Sequence, residues 1–206
     1  MLWPSKKAFF DDFVFDIFEN VYDPAEDSYL FAENLDVESG DCVLDMGTGC
    51  GILGVLVAEK ASEVLAVDVN PYAIRCAKHN AWLNGVGKKS SFIQADLFGS
   101  LGEKRKFDCI LFNAPYLPSE NGETDFWLGR SWAGGDNGRF VIDRFVSEAK
   151  SYLKTSGKIF LMQSNLSGLD ETICGFARNN LQSRVVATRS LPFFEKIFLI
   201  KATLFK

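Results

Sequence analysis

Leu44-Asp45-Met46-Gly47-Thr48-Gly49-Cys50-Gly51 is an apolar run that ends among three glycines spaced two apart, and Ile52 to Lys60 then carries Ile52, Leu53, Leu56 and Val57 at helical spacing. Cys42 to Asp45 is therefore a strand that turns at once into a helix, which restricts the chain to few architectures. Gly47, Gly49 and Gly51 can adopt backbone angles closed to other residues and present no Cβ to an approaching ligand. A second apolar run, Val64-Leu65-Ala66-Val67, is closed by Asp68. That acid lies about 20 residues past the glycines, where it can accept hydrogen bonds from a ribose diol at the end of the second strand.

The alternation continues along the chain. Asn70-Pro71 supplies an N-cap with proline at the first helical position, Ile74, Ala77, Ala81 and Trp82 share one helical face, and Gly85 stops that helix. Ser91 to Gln94 is a short third strand before Asp96, Asp108 to Phe112 a fourth, Val141 to Leu153 a helix, and Gly157 to Gln163 a fifth strand. Asp27 to Leu35 places Tyr29, Leu30, Ala32 and Leu35 at helical spacing ahead of the first strand. Strands separated by helices argue for a parallel sheet covered on both faces. Arg184 to Arg189 and Lys196 to Leu204 are strand-like runs joined only by Ser190 to Glu195, too short for a crossover helix, so this last pair is expected to be antiparallel. Ile197-Phe198-Leu199-Ile200 is apolar at every position, which places it inside the sheet.

A chain of 206 residues is long enough for one well-buried α/β domain, and we expect one, 1–206, with an N-terminal extension and helix over 1–36 and the core over 37–206. The net charge of −5 leaves no broad cationic face for a long phosphate backbone, although Lys104-Arg105-Lys106 and Lys88-Lys89 can form a small basic spot. Five cysteines (Cys42, Cys50, Cys76, Cys109, Cys174) show no C-x-x-C spacing, so neither a disulfide framework nor a metal site is expected. The one histidine, His79, is expected on a solvated helix face, which removes most support for triad hydrolysis or histidine-based metal catalysis. No stretch reads as a membrane span, and Lys6, Lys7, Asp11 and Asp12 interrupt the apolar residues near the N-terminus, so a cytoplasmic protein is expected.

The spacing G-x-G-x-G departs from the dinucleotide fingerprint G-x-G-x-x-G, and Asp45 stands just before the first glycine, where a pyrophosphate would be repelled. A cationic ligand is better tolerated there. S-adenosylmethionine supplies an ammonium and a sulfonium, with Asp96 placed to accept from the adenine amine, and NAD is the second choice. Asn113-Ala114-Pro115-Tyr116 follows the apolar run Cys109 to Phe112 at a strand's carboxyl end. The Asn113 side-chain carbonyl and the Ala114 backbone carbonyl can each accept one N–H of a planar amide or aromatic amine, with Tyr116 packed on its plane. Catalysis would then be positioning for in-line displacement, because a cationic leaving group needs no acid.

The chain resembles the class I methyltransferases that act on amides and amines, and more narrowly the HemK-related protein glutamine methyltransferases of the eukaryotic and archaeal type. The likeness is carried by Val21-Tyr22-Asp23-Pro24-Ala25-Glu26-Asp27-Ser28, by Leu44 to Gly51, by Phe112 to Leu117, and by Trp132-Ala133-Gly134-Gly135-Asp136-Asn137-Gly138-Arg139 leading into Asp143-Arg144-Phe145. The resemblance implies an α/β fold with a mostly parallel, Rossmann-like seven-stranded sheet whose last strand is antiparallel. It implies methylation of the glutamine in the Gly-Gly-Gln loop of a class I peptide chain release factor. By position, Tyr22, Ser28, Asp45, Gly47, Gly49, Gly51, Asp68, Asp96 and Asn113 would form the S-adenosylmethionine site, while Asn113, Ala114, Pro115 and Tyr116 would hold the glutamine. It further implies a small zinc-binding activator subunit, and some of the 19 phenylalanines are candidates for the surface it covers.

Ala114 departs from the family's Asn-Pro-Pro-Tyr; it frees the local φ angle, restores an N–H and keeps the carbonyl acceptor. Some ribosomal RNA adenine dimethylases also carry an aliphatic residue there, which keeps nucleic-acid amine methylation open beside a non-catalytic, cofactor-binding scaffold. The long loop from Leu117 to Asn137 contains Trp127 and Trp132 and is a candidate lip over the substrate. Asp136, Arg139 and Asp143 either orient a substrate loop or form a surface salt-bridge cluster.

Overall fold

The computed structural model describes residues 4–102, 105–120 and 126–205, so Lys104 of the basic run and 121–125 of the Leu117 to Asn137 loop lie outside the described residues. The chain forms two compact units, Met1–Ser100 and Leu101–Lys206. Strands β3 to β9 are the seven strands of a mixed, mostly parallel sheet, three from the first unit and four from the second.

In the first unit, α1 spans Glu26–Glu33, β3 Cys42–Met46, α2 Ile52–Val57, β4 Glu63–Asp68, α3 Pro71–Leu83 and β5 Ser90–Gln94, within a few residues of the sequence expectation. The three strands run parallel in the order β5-β4-β3, with Leu44 opposite Leu65 and Val67 opposite Ile93. The side chain of Asn70 accepts from the Tyr72 N–H at 2.9 Å, and Pro71 occupies the first turn, as the cap and proline spacing require.

Ahead of this core stands an antiparallel hairpin that the sequence reading had treated only as an extension: β1 Pro4–Phe10 and β2 Phe13–Phe18. Two asparagines on α3 dock it. Asn80 accepts from Asp16 N at 2.9 Å and donates to Asp16 O at 2.9 Å, and Asn84 treats Val14 the same way at 3.1 and 2.8 Å. Four helical residues rise about 6 Å and two strand residues about 6.6 Å, so amides four apart on a helix match backbone groups two apart on a strand. Asn80, fully buried, also donates to Cys50 O at 2.8 Å and so ties the hairpin to the glycine turn. His79 is not simply solvated: its Nε2 lies 2.8 Å from Asp16 Oδ2, while Lys7 Nζ lies 2.7 Å from the other oxygen. Burial opposes the charge of Asp16, but these two partners hold its carboxyl below the ordinary range.

The second unit contains β6 Phe107–Asn113, α4 Phe140–Glu148, β7 Leu153–Ser164, α5 Leu169–Arg178, β8 Leu181–Ser190 and β9 Lys196–Leu204. Their order is β6-β7-β9-β8; β6 and β7 are parallel, while β9 is antiparallel to both its neighbours and therefore internal, as its apolar run demanded. Phe112 and Phe145 pack with ring centroids 4.6 Å apart between β6 and α4, and Phe176 of α5 is fully buried. Helix α5 had no counterpart in the sequence reading. The expected helix to Leu153 instead ends at Glu148, and a 3-10 turn to Tyr152 lets β7 begin at Leu153. No helix among the described residues is long and apolar enough to cross a membrane.

Replacing Asn80 with alanine leaves the Asp16 N–H and the Cys50 carbonyl without this partner and the Asp16 carbonyl with only the weaker Cys76 thiol, and is expected to cost about 2–4 kcal/mol of unfolding free energy, against about 1 kcal/mol for Asn84→Ala at its half-buried position. Urea denaturation of the two variants measures this, and equal losses would contradict the docking role of Asn80.

Candidate functional site

The glycine turn between β3 and α2 is built around one buried carboxylate. Asp45, 1% exposed, accepts through Oδ2 from Thr48 Oγ1 at 2.6 Å and from Gly54 N at 3.0 Å. A Cβ on Gly54 would stand 2.8 Å from that oxygen, so the helix can approach Asp45 this closely only with glycine there. The structure thus places Asp45 behind the turn, where it sets the backbone rather than presenting an open carboxylate. Burial pushes its carboxyl up to about 7, against the pull of the Thr48 and Gly54 hydrogen bonds, and the charge of Asp68 adds to the rise.

Gly49, with φ 57°, donates its N–H to Asp68 Oδ2 at 2.9 Å, and a Cβ there would meet nothing nearer than Gly47 O at 4.0 Å. The outer side of the turn is therefore clear for a ligand, which is the fit a nucleoside-bearing cofactor needs. Asp68 accepts through its other oxygen from Asn70 N at 2.9 Å, and burial raises its carboxyl above the ordinary range against the pull of backbone hydrogen bonds from Asn70, Gly49 and Val69.

From Asp68 the network extends in two directions within the first unit. The Asn70 side chain donates to Asn20 O at 2.7 Å, which anchors the segment leading to Tyr22. There Asp27, a residue that sequence reasoning did not single out, accepts through Oδ1 from Tyr22 Oη at 3.3 Å and from Ser28 N at 2.6 Å, so Tyr22 and Ser28 meet on one buried acid. On the other side Ala95 N donates to Asp68 O at 3.0 Å, and the next residue, Asp96, is exposed in the turn after β5. Asp45, Gly47, Gly49, Gly51, Asp68, Tyr22 and Ser28 thus belong to one connected arrangement, with Asp96 at its margin.

In the second unit Asn113 ends β6 half-buried, followed by Ala114, 3% exposed, and Tyr116, 8% exposed. Tyr116 is not an exposed turn residue. The segment beyond is held by a zipper of backbone bonds to the Trp132 to Arg139 stretch: Leu117 N donates to Trp132 O at 2.9 Å, Gly134 N to Leu117 O at 2.8 Å, and Ser119 N to Gly135 O at 3.0 Å. Gly138 has φ 72°, and a Cβ there would lie 2.2 Å from Tyr116 O and 3.0 Å from Ser167 Cβ, so this glycine is wedged directly under the tyrosine backbone.

Arg139 follows as the anchor of the wedge. It is 9% exposed and donates to Gly168 O at 2.7 Å, Thr172 Oγ1 at 3.1 Å, Ser167 O and Asp143. Of the two roles its sequence context suggested, the ion pair with Asp143 is present, but the guanidinium itself is buried and only the Asp143 carboxylate is exposed. A guanidinium's fixed fork of donors satisfies the carbonyls of the turn that precedes α5, partners 28 and 29 residues further along the chain that residue pattern does not bring together. Trp127 is half-buried, with the Arg130 guanidinium 4.9 Å from its ring centroid.

Residues 20–128 match the methyltransferase small domain family. The chain is 43% identical over 88% of its length, and 91% of the relative's, to a putative protein N5-glutamine methyltransferase of Methanocaldococcus jannaschii. It is 29% identical to the methyltransferase HEMK2 of Mus musculus, covering 84% of this chain and 85% of that one. Among solved structures, Mtq2 in the E. cuniculi Mtq2–Trm112 complex, described as responsible for methylation of the eRF1 translation termination factor, superposes with a TM-score of 0.70 at 24% identity over 90% of this chain and 99% of that one. A tRNA m1G37 methyltransferase of M. jannaschii reaches a TM-score of 0.72 at 21% identity over 99% of this chain and 58% of that one, a likeness of fold.

The Asp45 carboxyl generates a pH prediction. Its folded value of about 7 lies above the ordinary 3.8, so between the two the folded protein holds a proton that the unfolded chain has released. The stability contributed by this group is complete below the ordinary value and is lost as pH rises toward 7. Between pH 5 and 8 the protein should lose about 2–3 kcal/mol relative to its Asp45→Asn variant, in which the amide oxygen still accepts from Thr48 and Gly54. Urea unfolding of both proteins across that range is the measurement; parallel pH profiles would show that Asp45 does not titrate there.

Proposed function

The chain belongs to the methyltransferase small domain family and, within it, to the S-adenosylmethionine-dependent protein N5-glutamine methyltransferases of the HemK2 and Mtq2 type, and we propose that its substrate is the glutamine in the Gly-Gly-Gln loop of a class I peptide chain release factor. The observation that carries this reading is the Asn113 to Tyr116 turn, in which an amide acceptor and a neighbouring backbone carbonyl stand together, with Tyr116 packed on Gly138 and the continuation from Leu117 to Ser119 bonded to Trp132, Gly134 and Gly135. The solved relative with Trm112, described as acting on eRF1, supports the same substrate class.

In this reading the whole chain, 1–206, works as one methyltransferase domain in the cytoplasm. Tyr22, Ser28, Asp68 and Asp96 hold the cofactor, Gly47, Gly49 and Gly51 let its nucleoside end approach the backbone, and Asp45 keeps that turn in shape. S-adenosylmethionine, when bound, supplies a methyl group on a cationic sulfur that departs without protonation. The Asn113 side-chain carbonyl and the Ala114 carbonyl each accept one N–H of the glutamine amide, which fixes the plane of the group and directs its nitrogen. Tyr116 packs on that plane, and Pro115 limits the freedom of the turn that carries both acceptors. These residues orient the amide, and the one N–H proton that its nitrogen must release on methylation passes to water, so positioning supplies most of the acceleration, and effective concentrations of well-oriented groups can reach about 10⁵ M or more.

Ala114 in place of the family's proline leaves the carbonyl acceptor in position, buried at 3% exposure. The zipper to Trp132 and Gly135 supplies the backbone restraint that a second proline ring would otherwise provide. A small zinc-binding activator subunit is the proposed partner, in keeping with the Mtq2–Trm112 assembly of the relative. Nucleic-acid amine methylation is the second reading, kept open by Ala114 and by resemblance to a tRNA1(Val) adenine methyltransferase over 52% of the chain.

Two measurements test the assignment. Labelled methyl from S-adenosylmethionine should enter a release factor and be lost when its loop glutamine is replaced by alanine; Asn113→Ala should reduce this transfer by at least about 100-fold while cofactor affinity by calorimetry stays near that of the wild type. Transfer to RNA or DNA instead would establish the second reading. Asp68→Ala should weaken S-adenosylmethionine binding at least about 10-fold, the usual effect of deleting a charged hydrogen-bonding partner, and an unaltered Kd would remove Asp68 from the cofactor site.

A further inference from the structure

The connection between β8 and β9 carries two phenylalanines with almost no cover: Phe193 is 98% and Phe194 99% exposed. Both adopt left-handed backbone angles, φ 59° and 64°, a region that costs bulky residues energy and that is seldom kept without a purpose. The tip is not a loose end. Leu191 N donates to Glu195 O at 2.8 Å across it, and Lys196 N donates to Asn165 Oδ1 at 2.7 Å, which fastens its base to the residue that follows β7. Leu166, next to that asparagine, is 51% exposed and widens the apolar surface.

Strand register within this unit places the tip at the same end of the sheet as the amide-holding turn. Asn113 at the end of β6 is opposite Met162, and Ser164, two residues further along β7, is opposite Ile197 at the start of β9. We propose that Phe193 and Phe194 are a docking spur for the folded protein that carries the target glutamine, entering an apolar recess beside its loop; this rests on the protein-glutamine reading above. A glutamine amide is identical in every protein, so an enzyme that modifies one of them must take part of its selectivity from surface outside the amide site. Paired aromatic side chains meet that need, because each buries roughly 150–250 Å² with few rotatable bonds to restrain. The charge around the spur does not suit the alternatives. Its neighbours are one acid, Glu195, and one base, Lys196, and the chain carries a net −5, where a lipid headgroup surface or a nucleic acid would require clustered bases.

The test compares the full chain, with any co-purifying subunit, and its Phe193→Asn/Phe194→Asn variant on two substrates: the intact release factor and a short synthetic peptide of its Gly-Gly-Gln loop. Asparagine tolerates left-handed angles, so the variant should melt no lower than the wild type. The ratio of kcat/KM for intact protein over that for peptide should fall at least about 10-fold, through KM, an effect within the range of aromatic interface anchors. An unaltered ratio overturns the proposal, as does a wild-type dimer on gel filtration that the variant abolishes without changing the ratio, or vesicle binding lost in the variant with the same constancy. If the wild type methylates neither substrate, the release-factor reading fails first and the spur with it.

Discussion

A carboxylate taken almost wholly out of water sets the conditions for the first unit. Asp45 has 1% exposure and accepts from the Thr48 hydroxyl and the Gly54 N–H, so the turn must curl back over the strand end to reach it. That curl forces the backbone through left-handed angles at Gly47, Gly49 and Gly51 and leaves the Gly49 N–H directed at Asp68. An unpartnered buried charge would cost several kcal/mol, so the turn's geometry and the acid's ionisation are coupled. The same coupling explains why the pKa of Asp45 is elevated by burial even with two donors in place. In the proposed cofactor site the ligand would meet backbone groups and the Asp68 carboxylate, arranged by an acid that stands behind the turn.

The second unit solves a different problem with the same means. A turn that holds acceptors for a neutral amide needs rigidity more than charge, and β6 ends in a turn with only one proline. Rigidity comes from outside the turn. Gly138 permits a second stretch of backbone to lie against Tyr116 at a distance that any side chain would prevent, Gly134 lets that stretch fold tightly on Gly138, and Arg139 pins it to the turn before α5. The buried guanidinium thus acts on the proposed amide-binding turn only through the backbone it immobilises.

The strand and helix order, the N-cap at Asn70 and the internal position of β9 were readable from residue pattern, because each follows from local propensity or from apolar residues at a fixed period. Helix α5 was legible in principle, because Leu169, Ile173 and Phe176 stand at helical spacing on it, but the stripe is short and was overlooked. The hairpin of β1 and β2 was missed for a different reason. Its docking depends on Asn80 and Asn84, polar residues of low helical propensity whose spacing of four on α3 was the available signal. In the candidate site, Asp68, the glycines and Asn113 declared themselves by standing at strand ends, whereas Asp27 and Gly138 act through contacts with segments that pattern alone does not bring together.

The chain's own order of residues was sufficient to determine that a glycine-bearing strand end, an acid at the next strand end and an Asn-Ala-Pro-Tyr turn at a third would all be present, because each is a local consequence of apolar runs meeting turn-forming residues. Tertiary structure alone decided what each polar group does: that Asp45 stands behind its turn, that Arg139 is buried against carbonyls instead of lying on the surface, and that Phe193 and Phe194 project uncovered. The reason is that hydrogen-bond partners and burial depend on which distant segments pack together, and the energy of a charge or an exposed ring is set by that packing rather than by its neighbours in the chain.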